Sequence, residues 1–456
     1  MIEPSPTAPF GALRAWRAAS EQASLFGTPL TEWQRSGRAV LGLAIDRPII
    51  VTGHQAGIWH AGILAKWFLA DALANRCAGE AAALVVDHDV NHAHIIAYPA
   101  LVDGTLTEAF LPVPKAPRGG PTALQPAVHF NAPETPPVPE VTPQLHALRE
   151  VLNAQSDAQC IAEQMARATS DLLRPYIKPM ATVFATRIMT TPIAEALVAA
   201  MQRDPVRCID AYNAAVASDR QAVRPLAADE LPLWRLTATG RLPVRADNGT
   251  GPLAPRALFM TAITRIALCD LFVHGTGGAR YERLTEAWIR AWLGIELAPM
   301  SVATATLRLP LEIHLGDRHV TTPAELRRVE FDPDLVALPS SSHGPSLFKR
   351  SLLAAIAAAP RGSRERRGHY QTLRHQLDER RDANRELITR LRADVESSRA
   401  EAASAQLARS RTWPWPLHAP ERLHALHEAT RKHVSFPDAA DRAGRGGCPR
   451  APRSSP

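Results

Sequence analysis

Two short apolar runs, separated by one helix-sized segment, constrain the fold of this chain more than any other feature. The first is Pro48-Ile49-Ile50-Val51-Thr52, and the second extends from Ala81 to Val86. Apolar runs of this length are typical of strands that are buried on both faces of a parallel sheet. Between them, apolar residues at helical spacing predict a helix from Ile63 to Asn75. Strand, helix and strand in this order predict a βαβ unit, and therefore an α/β protein with a Rossmann-like parallel-sheet core.

The rest of the chain is predicted to add helical insertions and further strands to this core. We assign residues 1–40 to an N-terminal helical segment and residues 41–345 to the core, which includes a proline-rich excursion at 112–143. The other elements predicted within the core are a strand at 181–186, a helix from 192 to 201, a hairpin at 233–244, a helix at 255–273, a helix at 281–293 and a strand at 302–311.

The sequence changes character near its C-terminal end, where residues 346–410 are predicted to be helical. Spacings of four, seven, three and four residues separate Leu373, Leu377, Asn384, Leu387 and Leu391. This broken heptad predicts a short C-terminal α-helical coiled coil and, through it, a homodimer. A helix that folds back on the core would bury the same residues. The last segment, 411–456, is predicted to be largely disordered after residue 436 because it is rich in Arg, Gly and Pro.

The charge balance raises the question of a nucleic-acid partner, because the formal net charge is +7. Clustered cations bind nucleic acid by releasing counterions from phosphates, but here the basic residues are dispersed. We therefore predict no nucleic-acid partner. No segment approaches the roughly 20 apolar residues that span a bilayer, so no membrane contact is predicted. The five cysteines are far apart and form no Cys-x-x-Cys, which predicts neither disulfides nor structural zinc, and favours a cytoplasmic location.

The turn after the first strand is the first candidate site. Ligands of parallel sheets bind outside the carboxyl ends of the strands, and this turn lies at such an end. Its glycines allow tight turns, and the following helix offers unpaired N–H groups that suit a phosphate or a carboxylate. We predict that a small-molecule ligand is bound here by Thr52, Gly53, His54, Gln55 and Gly57. The alternative is that the two glycines only let the chain turn.

The second candidate site is Asp87-His88-Asp89, directly after the second buried strand. Three titratable residues in this position are costly to bury unless they are solvated or paired. An aspartate beside a histidine orients the imidazole and raises its basicity, as a general base requires. We therefore predict that His88 is catalytic together with Asp87 and Asp89. The structural alternative is a solvated loop in which Asp89 caps the next element.

Two further features of the sequence could bind a metal ion or a second part of a ligand. His88 and His92 have the i, i+4 spacing of zinc proteases, but they follow a strand and are separated by an aspartate, so no metal ligand is assigned. A glycine cluster after residue 273 could admit a ligand, or could be a plain turn between helices. The ligand-binding residues predicted in this segment are His274, Gly275, Gly277, Gly278 and Tyr281. The sequence contains no Gly-x-Ser-x-Gly, Walker or dinucleotide-binding motif.

Taken together, the two strand-end segments resemble the bacillithiol synthase family, the cysteine-adding enzymes of bacillithiol biosynthesis. That family has Thr-Gly-Gln-Gln-Ala-Gly after its first strand and Glu-Asp-His-Asp after the next. Two positions depart from this pattern, because His54 replaces a glutamine and Val86 replaces the glutamate. The positions that match are Thr52, Gly53, Gln55, Ala56, Gly57, Asp87, His88 and Asp89. The resemblance covers residues 45–410 in order, and it implies a Rossmann-like core, a C-terminal coiled coil and a nucleotide or activated substrate near Gly53–Gly57.

Three functions are compatible with the sequence. The resemblance implies a diverged ligase that joins an amino acid, cysteine in the family, to a sugar-linked amine such as glucosaminyl-malate, with ATP or ADP as the nucleotide. In this hypothesis His88 is the base and Asp87 or Asp89 orients it. Because Val86 replaces the family's glutamate, a non-catalytic nucleotide- or metabolite-binding protein is the second hypothesis. A metal-dependent hydrolase that uses His88, His92 and Asp89 is the third.

Overall fold

The computed structural model describes residues 9–117, 119–219, 223–245, 251–311, 322–331 and 347–435. The strands are β1 (Ser24–Leu25), β2 (Thr28–Pro29), β3 (Ile49–Gln55), β4 (Glu80–Val86), β5 (Ala97–Val102), β6 (Thr105–Phe110), β7 (Ala181–Phe184), β8 (Glu230–Thr237), β9 (Gly240–Arg245), β10 (Leu253–Pro255), β11 (Leu271–His274) and β12 (Met300–Val302).

The helices are α1 (Pro9–Gln22), α2 (Leu30–Val40), α3 (Ala61–Arg76), α4 (Thr142–Ala154), α5 (Ile161–Leu173), α6 (Ala185–Ile188), α7 (Pro192–Arg203), α8 (Pro205–Ala217), α9 (Ala257–Ile263), α10 (Ala279–Leu293), α11 (Pro323–Phe331), α12 (Leu347–Ala358), α13 (Arg364–Ala383), α14 (Arg385–Ala408) and α15 (Pro420–Ser435).

The chain divides into two compact units. One comprises Met1–Ala100, Glu108–Pro310 and Ser410–Pro456, and the other Leu101–Thr107 and Leu311–Arg409. The second unit therefore begins earlier than the boundary predicted at residue 346. Residues 410–435 belong with the core, where α15 packs on α3. The disorder predicted after residue 436 concerns residues outside the described part of the chain.

A five-stranded parallel sheet is the centre of the first unit, as the two apolar runs predict. Its strand order is β12-β11-β3-β4-β7. The chain moves outward from β3 through β4 to β7 and then returns to the other side of β3, where Val51 pairs with Phe272 of β11. The strand order therefore reverses between β3 and β11. In open α/β sheets the crevice for a ligand opens at such a switch point, at the carboxyl ends of the strands.

Both faces of this sheet are covered, which explains why β3 is apolar along its first half. Ile49 and Val51 belong to one hydrophobic core, while Ile50 packs on the opposite face with Leu64 and Phe68 of α3. Side chains alternate between the two faces of a strand, so a strand buried on both sides must be apolar at successive positions. The helix predicted at 63–75 and the strands predicted at 81–86 and 181–186 are thus confirmed, within a few residues at their ends.

Three sequence-based assignments in this unit need correction. The N-terminal segment is not one helix, because Phe26 and Gly27 adopt positive φ angles of 56° and 81° and turn the chain between β1 and β2. The helix predicted at 255–273 ends early: α9 continues into a π-helical turn at Thr264–Leu268, and the chain then forms strand β11. No strand is present at residues 303–311, where one was predicted, because β12 ends at Val302.

A second, antiparallel sheet of strand order β10-β8-β9 is inserted between β7 and β11. The hairpin predicted at 233–244 corresponds to β8 and β9, in which Trp234 pairs with Pro243. Arg235 of β8 also pairs with Leu253 of β10. This sheet stands opposite the carboxyl edge of the parallel sheet, because residues of both border one cleft.

In the second unit, the helices predicted from the heptad spacing are present as α13 and α14, with a break at Asn384. In α14 the buried residues include Ile388 and Val395, seven positions apart, whereas Leu387 is 41% exposed. The register of the buried stripe therefore differs from the predicted one by one position. Ser404 of α14 donates a hydrogen bond to the carbonyl of Leu106 in the same unit. Among the described residues, no helix has both the length and the apolar character needed to cross a bilayer.

Candidate functional site

A cleft of about 670 Å³ opens at the carboxyl edge of the parallel sheet. It lies at the switch point between β3 and β11, where the topology favours ligand binding. One side is formed by the ends of β3, β4 and β11, and the other by β8, β9 and the start of α9. Its lining residues are Gly53, His54, Gln55, Lys66, Leu84, Val86, His88, Asp89, Tyr212, Val223, Arg224, Trp234, Arg241, Arg256, Ala257, Leu258, Met260, Thr261, Phe272, His274, Gly278, Tyr281 and Glu282.

The end of β3 contributes three of the predicted ligand-binding residues to the cleft. Only glycine fits at position 53 beside the neighbouring strand β4, because a Cβ atom here would lie 2.4 Å from the carbonyl oxygen of Leu84. Burial, reinforced by the positive charge of Lys66, lowers the pKa of His54 to about 3. The imidazole of His54 is therefore neutral at physiological pH, and its Nδ1 has no hydrogen-bond partner among the described residues. Gln55 donates a hydrogen bond of 3.2 Å to Asp89.

The three predicted catalytic residues follow β4, but only two of them border the cleft. The carboxylate of Asp87 accepts hydrogen bonds from the backbone N–H and the hydroxyl of Thr186, at 2.9 and 2.5 Å, and burial raises its pKa. Asp87 thus joins β4 to α6 and does not border the cleft. His88 and Asp89 do border it. The carboxylate of Asp89 forms an ion pair with Arg241 at 2.9 Å, in addition to the hydrogen bond that it accepts from Gln55.

His88 is only 3% exposed, and its burial lowers its pKa to about 4. The charge of Arg241 also lowers this pKa, while that of Asp89 raises it. Nδ1 of His88 has no hydrogen-bond partner in the described part of the chain. The predicted orientation of the imidazole by Asp87 or Asp89 is therefore not made through this atom. His88 borders the cleft, and its neutral imidazole has a nitrogen without a partner. It can therefore accept a proton or a hydrogen bond from a ligand that reaches the ring.

The end of β11 brings a third histidine to the same edge. Nδ1 of His274 accepts a hydrogen bond of 2.9 Å from the backbone N–H of Gly275. Burial, and secondly the charge of Lys66, lowers the pKa of His274 to about 4. Gly278 and the half-exposed Tyr281 also border the cleft, whereas Gly275 and Gly277 are not among its lining residues.

Two further predicted ligand-binding residues, Thr52 and Gly57, also lie outside the cleft lining. The hydroxyl of Thr52 is buried and donates a hydrogen bond of 3.0 Å to the carbonyl of Val273, which makes it part of the sheet. Gly57 borders a separate apolar pocket of about 40 Å³ beside Trp59 and Trp67. Its φ of 148° suits glycine, so its role at this position is to let the chain turn.

Sequence reasoning missed Lys66, although it lies at the centre of the sheet edge. This residue of α3 is 3% exposed, and its Nζ donates a hydrogen bond of 2.5 Å to the carbonyl of Gly53. Burial lowers its pKa to about 7. One signal was present in the sequence: Lys66 is one of only five lysines in the chain, and it interrupts an otherwise apolar helix.

Sequence reasoning also missed the basic wall opposite the sheet edge. The guanidinium of Arg256 lies 3.9 Å from the centre of the Trp234 ring, and that of Arg241 lies 5.1 Å from it. Arg224 and Arg256 both donate hydrogen bonds to the same oxygen of Glu230, at 2.6 and 2.5 Å. Two positive charges that share one carboxylate leave a net positive charge on this wall, which favours an anionic ligand.

The ligand set required for a metal-dependent hydrolase is not assembled. Within the described ranges, no group of three or more His, Cys, Asp or Glu side chains is arranged to hold a metal ion. His92 is exposed and does not border the cleft, although His88 and Asp89 do. The arrangement therefore gives no support to the hypothesis that His88, His92 and Asp89 share a metal.

Comparison with known proteins adds no family to these observations. The chain matches no protein-family model, and no curated protein shows significant similarity to it. The geometry of the cleft is consequently the main evidence on which a function can be argued.

Proposed function

We propose that this protein is a cytoplasmic ligase-type enzyme whose cleft joins an amino acid to a sugar-linked amine. Cysteine and glucosaminyl-malate are the substrates that the resemblance of the strand-end motifs implies. The observation that carries this proposal is that neutral histidines and basic side chains meet in one cleft at the switch point of a parallel sheet. Joining two such substrates requires a group that accepts a proton from the amine and positive charges that hold the acid groups.

The two walls of the cleft offer these two capacities. Arg224 and Arg256 would hold a carboxylate or a phosphate, because Glu230 neutralises only one of their two charges. On the sheet edge, His88 would act as a base toward the attacking amine, since its low pKa keeps the imidazole unprotonated. Nucleotide binding by ATP or ADP rests on the resemblance alone. His54 and Gln55 are the predicted ligand-binding residues of β3 that would contact such an anion.

One observation favours the alternative of a non-catalytic binding protein on the same fold. Val86, which stands where the family has a glutamate, borders the cleft as an apolar side chain. Asp87, the matching aspartate, is engaged by Thr186 and does not reach the cleft. A protein that retained the ligand site but lost a carboxylate would bind its ligand without turnover.

Titration calorimetry with ATP, ADP, cysteine and glucosaminyl-malate tests the proposal at the level of binding. We expect glucosaminyl-malate to bind, and an Arg256→Met substitution to weaken its affinity at least tenfold. Lys349→Met is the matched control, because Lys349 lies in the second unit and also loses one positive charge. Absence of heat with all four compounds would argue against the ligase. Binding without formation of a product would favour the non-catalytic alternative.

We further propose that α13 and α14 pair with a second copy of the chain as a coiled coil. Support comes from the heptad spacing and from Leu387, which is 41% exposed on α14. Apolar residues exposed on a charged helix are typical of a surface that a partner helix covers. Light scattering on the full chain should give twice the monomer mass of 49.6 kDa, and Leu387→Glu should halve it. A wild-type chain with the monomer mass would refute the dimer.

A further inference from the structure

Lys66 occupies a position that the proposed roles of the cleft do not use. Lys66 of α3 is buried, and its Nζ donates a hydrogen bond to the carbonyl of Gly53 near the carboxyl end of β3. His54 of β3 and His274 of β11 lie close enough for the charge of Lys66 to lower the pKa of both. His60, the N-cap residue of α3, experiences the same charge. Lys66 also borders the cleft, so a bound ligand can approach its amine.

The surroundings of Lys66 contain no anion that would keep it charged. In the described part of the chain Lys66 forms no ion pair, and the three histidines around it are uncharged at neutral pH because their pKa values are lowered. On α10, Oε1 of Glu282 lies 3.9 Å from Nε2 of His274. Glu282 is itself engaged by Arg265 at 2.6 Å. A buried lysine without a counter-ion gives up its proton readily, and its pKa is accordingly about 7.

We propose that Lys66 is the proton-transfer group of the cleft and takes a proton from the ammonium group of the bound substrate. In this step the N–H bond of the substrate ammonium breaks, the proton moves to the lone pair of Lys66 Nζ, and an uncharged substrate amine and a lysine ammonium result. The carbonyl of Gly53 then accepts a hydrogen bond from the ammonium of Lys66. The identity of the substrate amine rests on the proposed function, whereas the titration of Lys66 does not.

Lys66 is better suited to this step than the histidines of the cleft. An efficient base has a pKa near the working pH, because it must be unprotonated before the transfer and basic enough to keep the proton afterwards. His88 and His274 have pKa values of about 4, so they are too weakly basic to deprotonate an ammonium group. This assignment also orients the ligand: its amine faces the space between His54 and His274, and its acid groups face Arg224 and Arg256. His88 keeps its proposed role in the next step, in which the uncharged amine attacks and its nitrogen releases a second proton to the imidazole.

Carbon-13 NMR of protein labelled at the lysine ε-carbons tests the titration directly. The chain has five lysines, so the spectrum contains few signals, and Lys66→Met identifies the signal of Lys66 by its loss. Methionine is apolar and of similar length, so this variant should fold. We expect the Lys66 signal to titrate near pH 7. Lys178→Met, which removes an exposed lysine outside the cleft, should leave this signal and its midpoint unchanged. A Lys66 midpoint above about 9.5 would overturn the proposal.

The pH dependence of the reaction of cysteine with glucosaminyl-malate separates this proposal from the proposed function. For the wild type, kcat/KM should rise through about pH 7, and Lys66→Met should lower it by about 100-fold or more and remove this limb. Lys66→Arg should be equally impaired because arginine stays protonated. An active wild type with an unchanged Lys66→Met variant would overturn the role of Lys66 alone. An inactive wild type would overturn the proposed function, and the NMR midpoint would then decide whether Lys66 is a group that exchanges its proton at neutral pH.

Discussion

The imidazole of His274 lies directly over Gly278, so closely that a Cβ atom at position 278 would fall 1.5 Å from Cε1 of the ring. Gly278 precedes α10 and has a φ of −77°, which any residue can adopt. Glycine is therefore needed here to leave room for the histidine. This contact explains why position 278 is a glycine. A substitution of Gly278 can therefore displace the His274 ring while His274 itself is unchanged.

Gly278→Ala should displace the His274 ring from the cleft while the fold remains intact. Because the atom in the way belongs to the end of a side chain, the ring can rotate, and we expect the free energy of unfolding to change by less than about 1 kcal/mol. The imidazole signals of His274 in a ¹⁵N spectrum should shift, and the affinity for a cleft ligand should fall. Gly277→Ala is the matched control, because no atom lies within 4 Å of its added Cβ. Identical His274 signals in both variants would contradict the contact.

Asp270 should be among the most destabilising positions in the chain when it is substituted. One oxygen of its carboxylate accepts hydrogen bonds from Arg38 and from the backbone N–H of Ile49, each at 2.8 Å. Both members of the ion pair are at least 95% buried, and they join the beginnings of β3 and β11 to α2. Asp270→Ala leaves the guanidinium of Arg38 buried without a partner, which typically costs about 3 to 5 kcal/mol. Urea denaturation measures this loss.

An exposed ion pair provides the comparison for Asp270. Asp46 lies 3.5 Å from Arg47, and its side chain is 78% exposed. Exposed pairs contribute little because water and salt screen them, so Asp46→Ala should change the free energy of unfolding by about 0.5 kcal/mol or less. Equal losses in the two variants would show that the Asp270 carboxylate does not join the two strands in the way described.

His418 should make the stability of the protein sensitive to acid. It is 1% exposed, neither ring nitrogen has a hydrogen-bond partner among the described residues, and burial lowers its pKa from 6.5 to about 4. Between pH 6.5 and 4 the unfolded chain binds a proton at this residue and the folded chain does not. The free energy of unfolding therefore falls as the pH decreases through this window, by up to about 1.4 kcal/mol per pH unit for one histidine.

His418→Leu should remove this contribution, so that the free energy of unfolding depends less steeply on pH below 6.5. Denaturant titrations at several pH values between 4.5 and 7.5 measure the slope. His375, whose side chain is 76% exposed, serves as the control, and His375→Leu should leave the slope unchanged. The same slope in the wild type and in His418→Leu would mean that His418 is not held neutral by burial.

Those parts of the fold that depend on local apolar pattern could be predicted from the sequence. Strands β3, β4 and β7 follow from short apolar runs, because burial on both faces requires apolar residues at successive positions. Strand β11 was missed for a physical reason. Its four residues directly follow an apolar helix, and only the break at Cys269-Asp270 separates them, so no change of period marks the boundary.

The site was predictable only where the strand ends carry it. His54, Gln55, His88, Asp89 and His274 follow apolar strands or helices, so their position at one sheet edge could be inferred. The basic wall could not, because Trp234 and Arg256 are far from β4 in sequence and meet it only through tertiary packing. The burial of Lys66 likewise depends on the neighbours that β3 and β11 supply. The resemblance to bacillithiol synthases, in turn, rests on motifs in which His54 and Val86 differ.

If the cleft beside His88 joins an amino acid to an amine, the product of that reaction can be detected. Wild-type protein is incubated with cysteine and glucosaminyl-malate, with and without ATP, and mass spectrometry detects a product whose mass is the sum of the two less one water. We predict this product for the wild type and for His92→Ala, whose histidine lies outside the cleft, and at least about a 100-fold lower rate for His88→Ala. Absence of the product with the wild type, or a correctly folded His88→Ala variant with the full wild-type rate, would show that this cleft does not carry out the proposed reaction.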